Sequence, residues 1–218
     1  MVAVTGLPYP VTIAPAALDQ LANVVRTVTP GNRCVVISDT TVAGHYGSRV
    51  STLLGGGGGD AGTALSFPFS EQDKTRELWS RITDALLDDR YGRDTTLVAL
   101  GGGVVGDVVG FVAATYMRGI PVIQVPTSLL AMVDACIGGK TGVDTRHGKN
   151  LVGAFHQPSA VIIDPLLLET LPANHLRAGF AEIIKHGVIA DDGYFDRIRA
   201  VVESWPPPGG GGTPAGIS

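Results

Sequence analysis

The stretch TTLVALGGGVVGDVVGFVAATYMRG, residues 95–119, decides how this chain is built. It opens as an apolar burst of strand-forming residues, breaks at three consecutive glycines, and resumes as an apolar segment with one early carboxylate, Asp107. A strand ending in Gly101, Gly102 and Gly103 that hands over directly to a helix leaves bare backbone N–H groups at the helix N-terminus. There the dipole and the unpaired donors attract phosphate. The same glycines also suit a tight strand-to-helix turn with no ligand, and the run is not the G-x-G-x-x-G fingerprint, so both readings stand at this point.

Working outward, further apolar bursts occur at RCVVISD (33–39), TALSFPF (63–69), IPVIQVP (120–126) and SAVIIDP (159–165), with helix-like stretches between most of them. Bursts that are apolar at nearly every position suit strands buried on both faces, and the alternation predicts an α/β fold with a Rossmann-like parallel sheet. APAALDQLANVV (14–25) and DKTRELWSRITDALLDD (73–89) supply two helices, the second with Trp79, Ile82 and Leu86 on one face. In an open sheet of this kind the ligand crevice lies outside the C-terminal strand ends. ISD (37–39) and VPTS (125–128) are two more such ends with polar groups.

The chain's 44% hydrophobic content and mean hydropathy of +0.26 are ample for a buried core. A net charge of −4 provides no field to attract nucleic acid or an anionic membrane, so anion binding must come from a local cluster and the partner is expected to be small. Cys34 and Cys136 lack the spacing of a disulfide scaffold or paired-cysteine zinc site, which predicts a reducing cytoplasm. No basic-then-apolar leader and no membrane-spanning run is legible, so neither export nor anchoring is expected.

Two stretches carry candidate chemistry. VDACIGGKTGVDTRHGKNLVGAFHQP (133–158) crowds Lys140, Arg146, His147, Lys149 and Asn150 into a glycine-rich, weakly periodic segment beside Asp134, and reads either as an anion-holding loop or as a solvated one. AGFAEIIKHG (178–187) places Glu182, Lys185 and His186 at i, i+3 and i+4 on one helical face, where they can share a site. By spacing alone Glu182 and His186 can be two metal ligands or part of an exposed charge cluster.

Helical patterning over 173–205 predicts three segments: an α/β domain over 1–170, the beginning of a helical domain over 171–205, and a disordered Pro/Gly-rich tail over 206–218. The five-glycine run 55–59 reads as a surface loop. Phe180, Ile183, Ile184 and Val188 are expected to form an exposed apolar patch that promotes association.

ALGGGVVGDVVGFVAATYMRG, QVPTSLLAMVDACIGGKTGVD, GKNLVGAFHQPSAVIID and LRAGFAEIIKHG, in this order, resemble the 3-dehydroquinate synthase family, with the likeness running from about residue 71 to 186. The resemblance implies an NAD- and zinc- or cobalt-dependent cyclase of the shikimate pathway, leading to chorismate and the aromatic amino acids. Its substrate is an anionic sugar phosphate, 3-deoxy-D-arabino-heptulosonate 7-phosphate, converted to 3-dehydroquinate with release of phosphate. The implied chemistry is a transient oxidation, β-elimination of phosphate, re-reduction and an aldol closure, in a homodimer.

By position, the resemblance implies cofactor contacts at Asp39, Glu71, Lys74, Gly102, Gly103, Val104, Val105, Gly106, Asp107, Thr127, Ser128, Lys140, Lys149, Leu167, Leu168, Glu169 and Thr170. It implies substrate-binding or catalytic roles for Asp134, Lys140, Lys149, Asn150 and Lys185, and a metal-ligand role for Glu182. His186 matches a position that is not a ligand in the family. The other two ligands are implied to be histidines of the family's C-terminal helical domain, beyond the end of this sequence, so metal binding is expected to be weak or absent. The segment after Trp205 reads as the product of a truncated or frame-shifted coding region. Two other readings remain: an inactive NAD-binding fragment, and a related sugar-phosphate cyclase or metal-dependent polyol dehydrogenase.

Overall fold

The computed structural model describes residues 2–3, 6–55 and 63–204. Residues 56–59 of the glycine run and the tail from 205 onward lie outside the described residues.

Five apolar bursts become strands of one sheet: β3 (Arg33–Asp39), β4 (Thr63–Phe67), β5 (Thr95–Gly101), β6 (Val122–Pro126) and β9 (Ala160–Ile163). Two short strands not foreseen, β1 (Val2–Ala3) and β2 (Val11–Ile13), extend it. The spatial order is β1-β2-β9-β6-β5-β3-β4, parallel throughout except that β1 runs antiparallel to β2. β5 and β6 are buried at every position, as strands covered on both faces must be, whereas the edge strand β4 alternates half-buried with exposed residues.

Helices α1 (Leu21–Val28), α2 (Thr40–Gly55), α3 (Arg76–Asp88) and α4 (Gly103–Thr115) connect the strands. The expected helix over 14–25 is broken. Ala16 takes a left-handed conformation with φ 57° and a 3-10 turn spans Ala17–Gln20 before α1 begins. In α3 the predicted face is realised: Ile82 and Leu86 are buried, and Trp79 packs against the same apolar cluster. Its start is capped by Thr75, whose hydroxyl accepts from Leu78 N.

The segment 133–158, expected to be a weakly periodic loop, is largely an antiparallel hairpin of β7 (Lys140–Thr145) and β8 (Gly148–Phe155). Its alternation is hidden because Gly142 faces Gly153 across the ladder, on the face away from the core-packed Val143 and Val152, so two outward positions carry no side chain. Val143, fully buried, anchors the hairpin to the core beneath α4 and α3.

After β9 the chain makes a 3-10 turn, Pro165–Thr170, and enters α5 (Ala173–Ala190) and α6 (Asp192–Glu203). Contrary to the expected apolar patch, Phe180 is buried in the cluster beneath the sheet and Ile183 packs against it. Gly179 explains the close docking: a Cβ there would stand 2.6 Å from Leu129 Cβ and 2.8 Å from Leu130 N. Exposed apolar surface on α5 remains at Ile184, Val188 and Ile189. No helix among the described residues is long and apolar enough to cross a membrane. Cys34 and Cys136 are buried free thiols, both pushed up to about 12 by burial.

Asp164, fully buried at the end of β9, ties the N-terminal segment to the sheet. Its carboxylate accepts from Ala16 N at 3.0 Å, Leu18 N at 3.2 Å and Leu166 N at 3.1 Å. Asp164→Ala strands three backbone donors and should cost at least about 3 kcal/mol. Urea unfolding checks this, and a loss below about 1 kcal/mol would mean water or rearrangement replaces the carboxylate.

Candidate functional site

β3 pairs with β4 on one side and β5 on the other, while the chain passes from β4 to β5. The order therefore reverses at β3/β5, and the crevice outside those strand ends is where an open α/β sheet accepts a ligand. Asp39 closes β3 and Gly101 closes β5 at this point. Gly102 is the N-cap of α4 in an extended conformation, so the first turn of α4 presents backbone N–H groups toward the crevice.

Small residues keep this turn open. A Cβ on Gly102 would lie 3.4 Å from Ser128 Oγ, and one on Gly103 would lie 3.4 Å from Ala135 Cβ. Val105 is a core residue and Gly106 sits over Gln124, whose Nε2 donates to Gly106 O at 3.1 Å. The segment 102–106 thus offers mainly backbone to a ligand. Gln124 was not singled out by sequence reasoning, although a lone amide inside the apolar burst PVIQVP was the available signal. Thr127 N donates to Gly101 O at 2.9 Å, and Ser128 Oγ accepts from Ala131 N at 3.3 Å, which places both residues beside the glycine turn.

One wall is built on Lys74. It follows the 3-10 turn Glu71–Asp73, and only 5% of its surface is exposed. Its ammonium donates to Asp107 Oδ2 and to Asn150 Oδ1, each at 2.5 Å. Burial raises the Asp107 carboxyl above its ordinary range, and the Lys74 ammonium only partly offsets this. Asn150 takes a left-handed conformation, φ 57°, held where its N donates to Asp144 Oδ1 at 2.8 Å. Asp144 N in turn donates to Lys74 O at 2.7 Å. Asp144 is a supporting residue that sequence reasoning missed. Lys149, next along β8, pairs with Glu71, which holds the lysine above its ordinary range.

Asp39 spans the other wall, accepting from Thr41 N at 2.8 Å and Phe69 N at 3.1 Å. Each oxygen keeps a lone pair for a further donor. Lys140 is exposed at the start of β7. Of the expected cofactor contacts, Leu167 and Leu168, at 1% and 5% exposure, have their side chains in the core and can offer a ligand only backbone, because the 3-10 turn at 165–170 packs that face inward. Glu169 and Thr170 are exposed, and Thr170 Oγ1 is 2.7 Å from the Tyr46 hydroxyl.

On α5, Glu182, Lys185 and His186 share one face as their spacing predicts. Glu182 pairs with the Lys185 ammonium, and His186 Nε2 lies 3.2 Å from its Oε1. Contact with Lys185 holds the Glu182 carboxyl below its ordinary range. Asp134, in the π-helical turn Ala131–Ala135, joins them: ligand atoms of Asp134, Glu182 and His186 all lie within 4.8 Å of one another.

Fold and site together define an α/β domain with a dinucleotide-type crevice at its switch point, flanked by lysines and a carboxylate–imidazole cluster. The family model described as "3-dehydroquinate synthase N-terminal" matches residues 64–178, and the chain belongs to the 3-dehydroquinate synthase family. A 3-dehydroquinate synthase of Nostoc punctiforme is 48% identical over 192 residues, covering 88% of this chain and 53% of the relative. The chain spans about half the length of the curated relatives it matches.

Among solved structures, a 2-epi-5-epi-valiolone synthase of Streptomyces hygroscopicus with NAD+ and Zn2+ bound superposes with a TM-score of 0.82 at 34% identity. The match covers 94% of this chain and 56% of that one. A 2-deoxy-scyllo-inosose synthase complexed with carbaglucose-6-phosphate, NAD+ and Co2+ gives a TM-score of 0.73 at 27% identity, over 82% and 48% of the two chains.

Lys74→Met leaves the Asp107 carboxylate buried without its cation and should cost about 3 kcal/mol in urea unfolding. Adding Asp107→Leu should recover part of that loss. A double variant no more stable than Lys74→Met alone would show that the pair is not coupled.

Proposed function

We propose that this chain is the cofactor-binding half of a 3-dehydroquinate synthase, acting on 3-deoxy-D-arabino-heptulosonate 7-phosphate with NAD+ and a divalent ion, Zn2+ or Co2+. The observation that carries the reading is the pair of hydrogen bonds donated by Lys74. It joins the glycine turn, through Asp107, to the lysine-bearing hairpin, through Asn150. Cofactor-side and substrate-side groups thereby face one crevice. The curated relatives of this name, and the solved cyclases with NAD+ and Zn2+ or Co2+ bound, support it.

The residues fit the groups this reading requires. The glycine turn offers backbone N–H groups with no side chain at Gly102 or Gly103, which suits a pyrophosphate, and Asp39 retains acceptor capacity for a ribose hydroxyl. Glu182 would be the carboxylate that meets the ion, giving up its pairing with Lys185 to do so. When bound, NAD+ supplies a reversible oxidation of a substrate alcohol and the ion polarises the oxygen concerned.

The chain's own residues bind and orient. Lys140, Lys149 and Lys185 offer positive charge to a carboxylate and a phosphate. Lys149 must exchange its pairing with Glu71 to do so, and Lys185 its pairing with Glu182. Asn150 is fixed by Lys74 and Asp144 to orient a hydroxyl or phosphate oxygen. Within this reading the α/β domain runs to residue 170, residues 171–205 begin a helical region, and the protein acts as a cytoplasmic homodimer without nucleic-acid or membrane partners.

A second reading, a different sugar-phosphate cyclase, is favoured by the TM-score of 0.82 to the valiolone synthase, although identity there is 34% against 48% for the dehydroquinate synthase relative. The test is NAD+ calorimetry alongside phosphate release from the heptulosonate substrate with Zn2+ or Co2+ present. NAD+ should bind, and Gly103→Val and Asp39→Ala should each weaken it about tenfold or more. No NAD+ binding by a folded chain would overturn the reading. Oxidation of a polyol without phosphate release would assign the crevice to a dehydrogenase.

A further inference from the structure

The β7–β8 hairpin leaves one strand edge open: among the described residues β8 pairs with β7 and with no other strand. His156 N donates to Gly139 O, and Ala154 O accepts from the Thr141 hydroxyl, so these backbone groups point toward β7. Peptide groups alternate along a strand, which turns the N–H and C=O groups of Leu151, Gly153 and Phe155 outward. The same three residues line the outer face. Leu151 is 64% and Phe155 83% exposed, with bare Gly153 between them.

The open edge is bounded on both sides. Asn150, left-handed at φ 57°, kinks the strand just before Leu151, and Pro158, which lacks an N–H, stops it beyond Phe155. Between them LVGAF, residues 151–155, holds no charge and no proline, the devices that blunt an edge against another strand. The segment also matches its own reverse. Turned antiparallel about Gly153, it sets Leu151 against Phe155 and Gly153 against itself, so every outward N–H meets an outward C=O. Centring on Leu151 or Phe155 instead leaves two of the three residues without such a match. The Gly153 register keeps like charges apart as well, because the two Lys149 side chains lie at opposite ends of the paired segment, roughly 27 Å from each other.

We propose that β8 pairs with β8 of a second copy of this chain, antiparallel about Gly153, joining two hairpins into one four-stranded sheet. Leu151 of each copy packs on Phe155 of the other, while Val152 and Ala154 keep their inward face. The contact is isologous and consumes the β8 edge, so the assembly stops at two. It gives the homodimer of the reading above a surface, yet the strand, register and partner rest on β8 and not on the cyclase chemistry. A strand pair of this length buries on the order of 500 Å² per copy, against about 800 Å² in a standard stable interface, so the dimer is reversible with a Kd in the micromolar range.

The test is sedimentation equilibrium of the 218-residue chain over a wide concentration range, with NAD+ affinity and circular dichroism measured on the same samples. A monomer–dimer equilibrium is expected. Leu151→Lys and Phe155→Lys should each weaken it about tenfold or more, with the circular dichroism of the exposed-site variants unchanged. The double variant Leu151→Lys/Phe155→Glu should recover part of the loss, since each lysine then faces a glutamate across the strands. For the register, Leu151→Cys mixed with Phe155→Cys should form a disulfide between copies, because directly paired positions stand about 5.5 Å apart at Cα. Neither variant alone should do so, since its two copies of the thiol lie roughly 14 Å apart and the native Cys34 and Cys136 are buried.

A chain that stays monomeric throughout would overturn the pairing, and NAD+ binding by that monomer would leave the cofactor reading standing. A dimer that cross-links as expected and binds no NAD+ would do the reverse. Dimerisation unmoved by Leu151→Lys and Phe155→Lys would overturn the surface, and cross-linking by either single cysteine variant alone would overturn the register.

Discussion

The buried Lys74 ammonium is the contact on which the working end of this molecule depends. A charge taken out of water must be paired on nearly every side, and the two groups that pair it come from distant parts of the chain: Asp107 in the second turn of α4, and Asn150 on β8. Meeting that requirement places the hairpin over α4. The positive φ of Asn150 and the bond from its N to Asp144 follow from the same demand, because Asp144 is itself fixed by the Lys74 carbonyl. The lysine thereby acts as a three-way junction between the turn after β4, the glycine turn and the hairpin.

A second constraint is steric. α4 lies close to β6 and β7 because two of its inner positions have no side chain. A Cβ on Gly106 would stand 2.9 Å from Gln124 Oε1, and one on Gly110 would stand 2.5 Å from Thr141 Cγ2. Close approach brings the start of α4 level with the strand ends. Its bare N–H groups then share the crevice with Asp39 and Ser128 instead of standing behind a layer of side chains.

How much of this could be read from the sequence varies with the range over which each feature is decided. The buried strands were legible because double-sided burial requires continuous runs such as VVI in β3 and LVAL in β5, which no other structure of that length explains as well. The glycine turn was legible as a turn, whereas its place beside the switch point depends on the strand order and was not. The hairpin was not legible, since its paired glycines erase the alternation that marks a strand. The break at Ala16 was missed because the carboxylate that holds it, Asp164, lies at the far end of the domain sequence. Leu167 and Leu168 were placed by resemblance, and burial of that face of the 3-10 turn leaves only their backbone to meet a ligand.

The carboxylate–imidazole cluster shows the limit most clearly. Helical spacing alone puts Glu182, Lys185 and His186 on one face, and the ion pairs on α5 follow from it. Asp134 cannot be added from spacing. It arrives because α5 docks through Gly179 and because the turn carrying Asp134 is π-helical, and neither is encoded near Glu182. Two carboxylates brought together repel, so some cation must accompany this packing, and Lys185 meets that need within the helix. The same docking that buries Leu176 and Phe180 is therefore what makes the first turns of the helical region continuous with the core of the α/β domain and not an appendage to it.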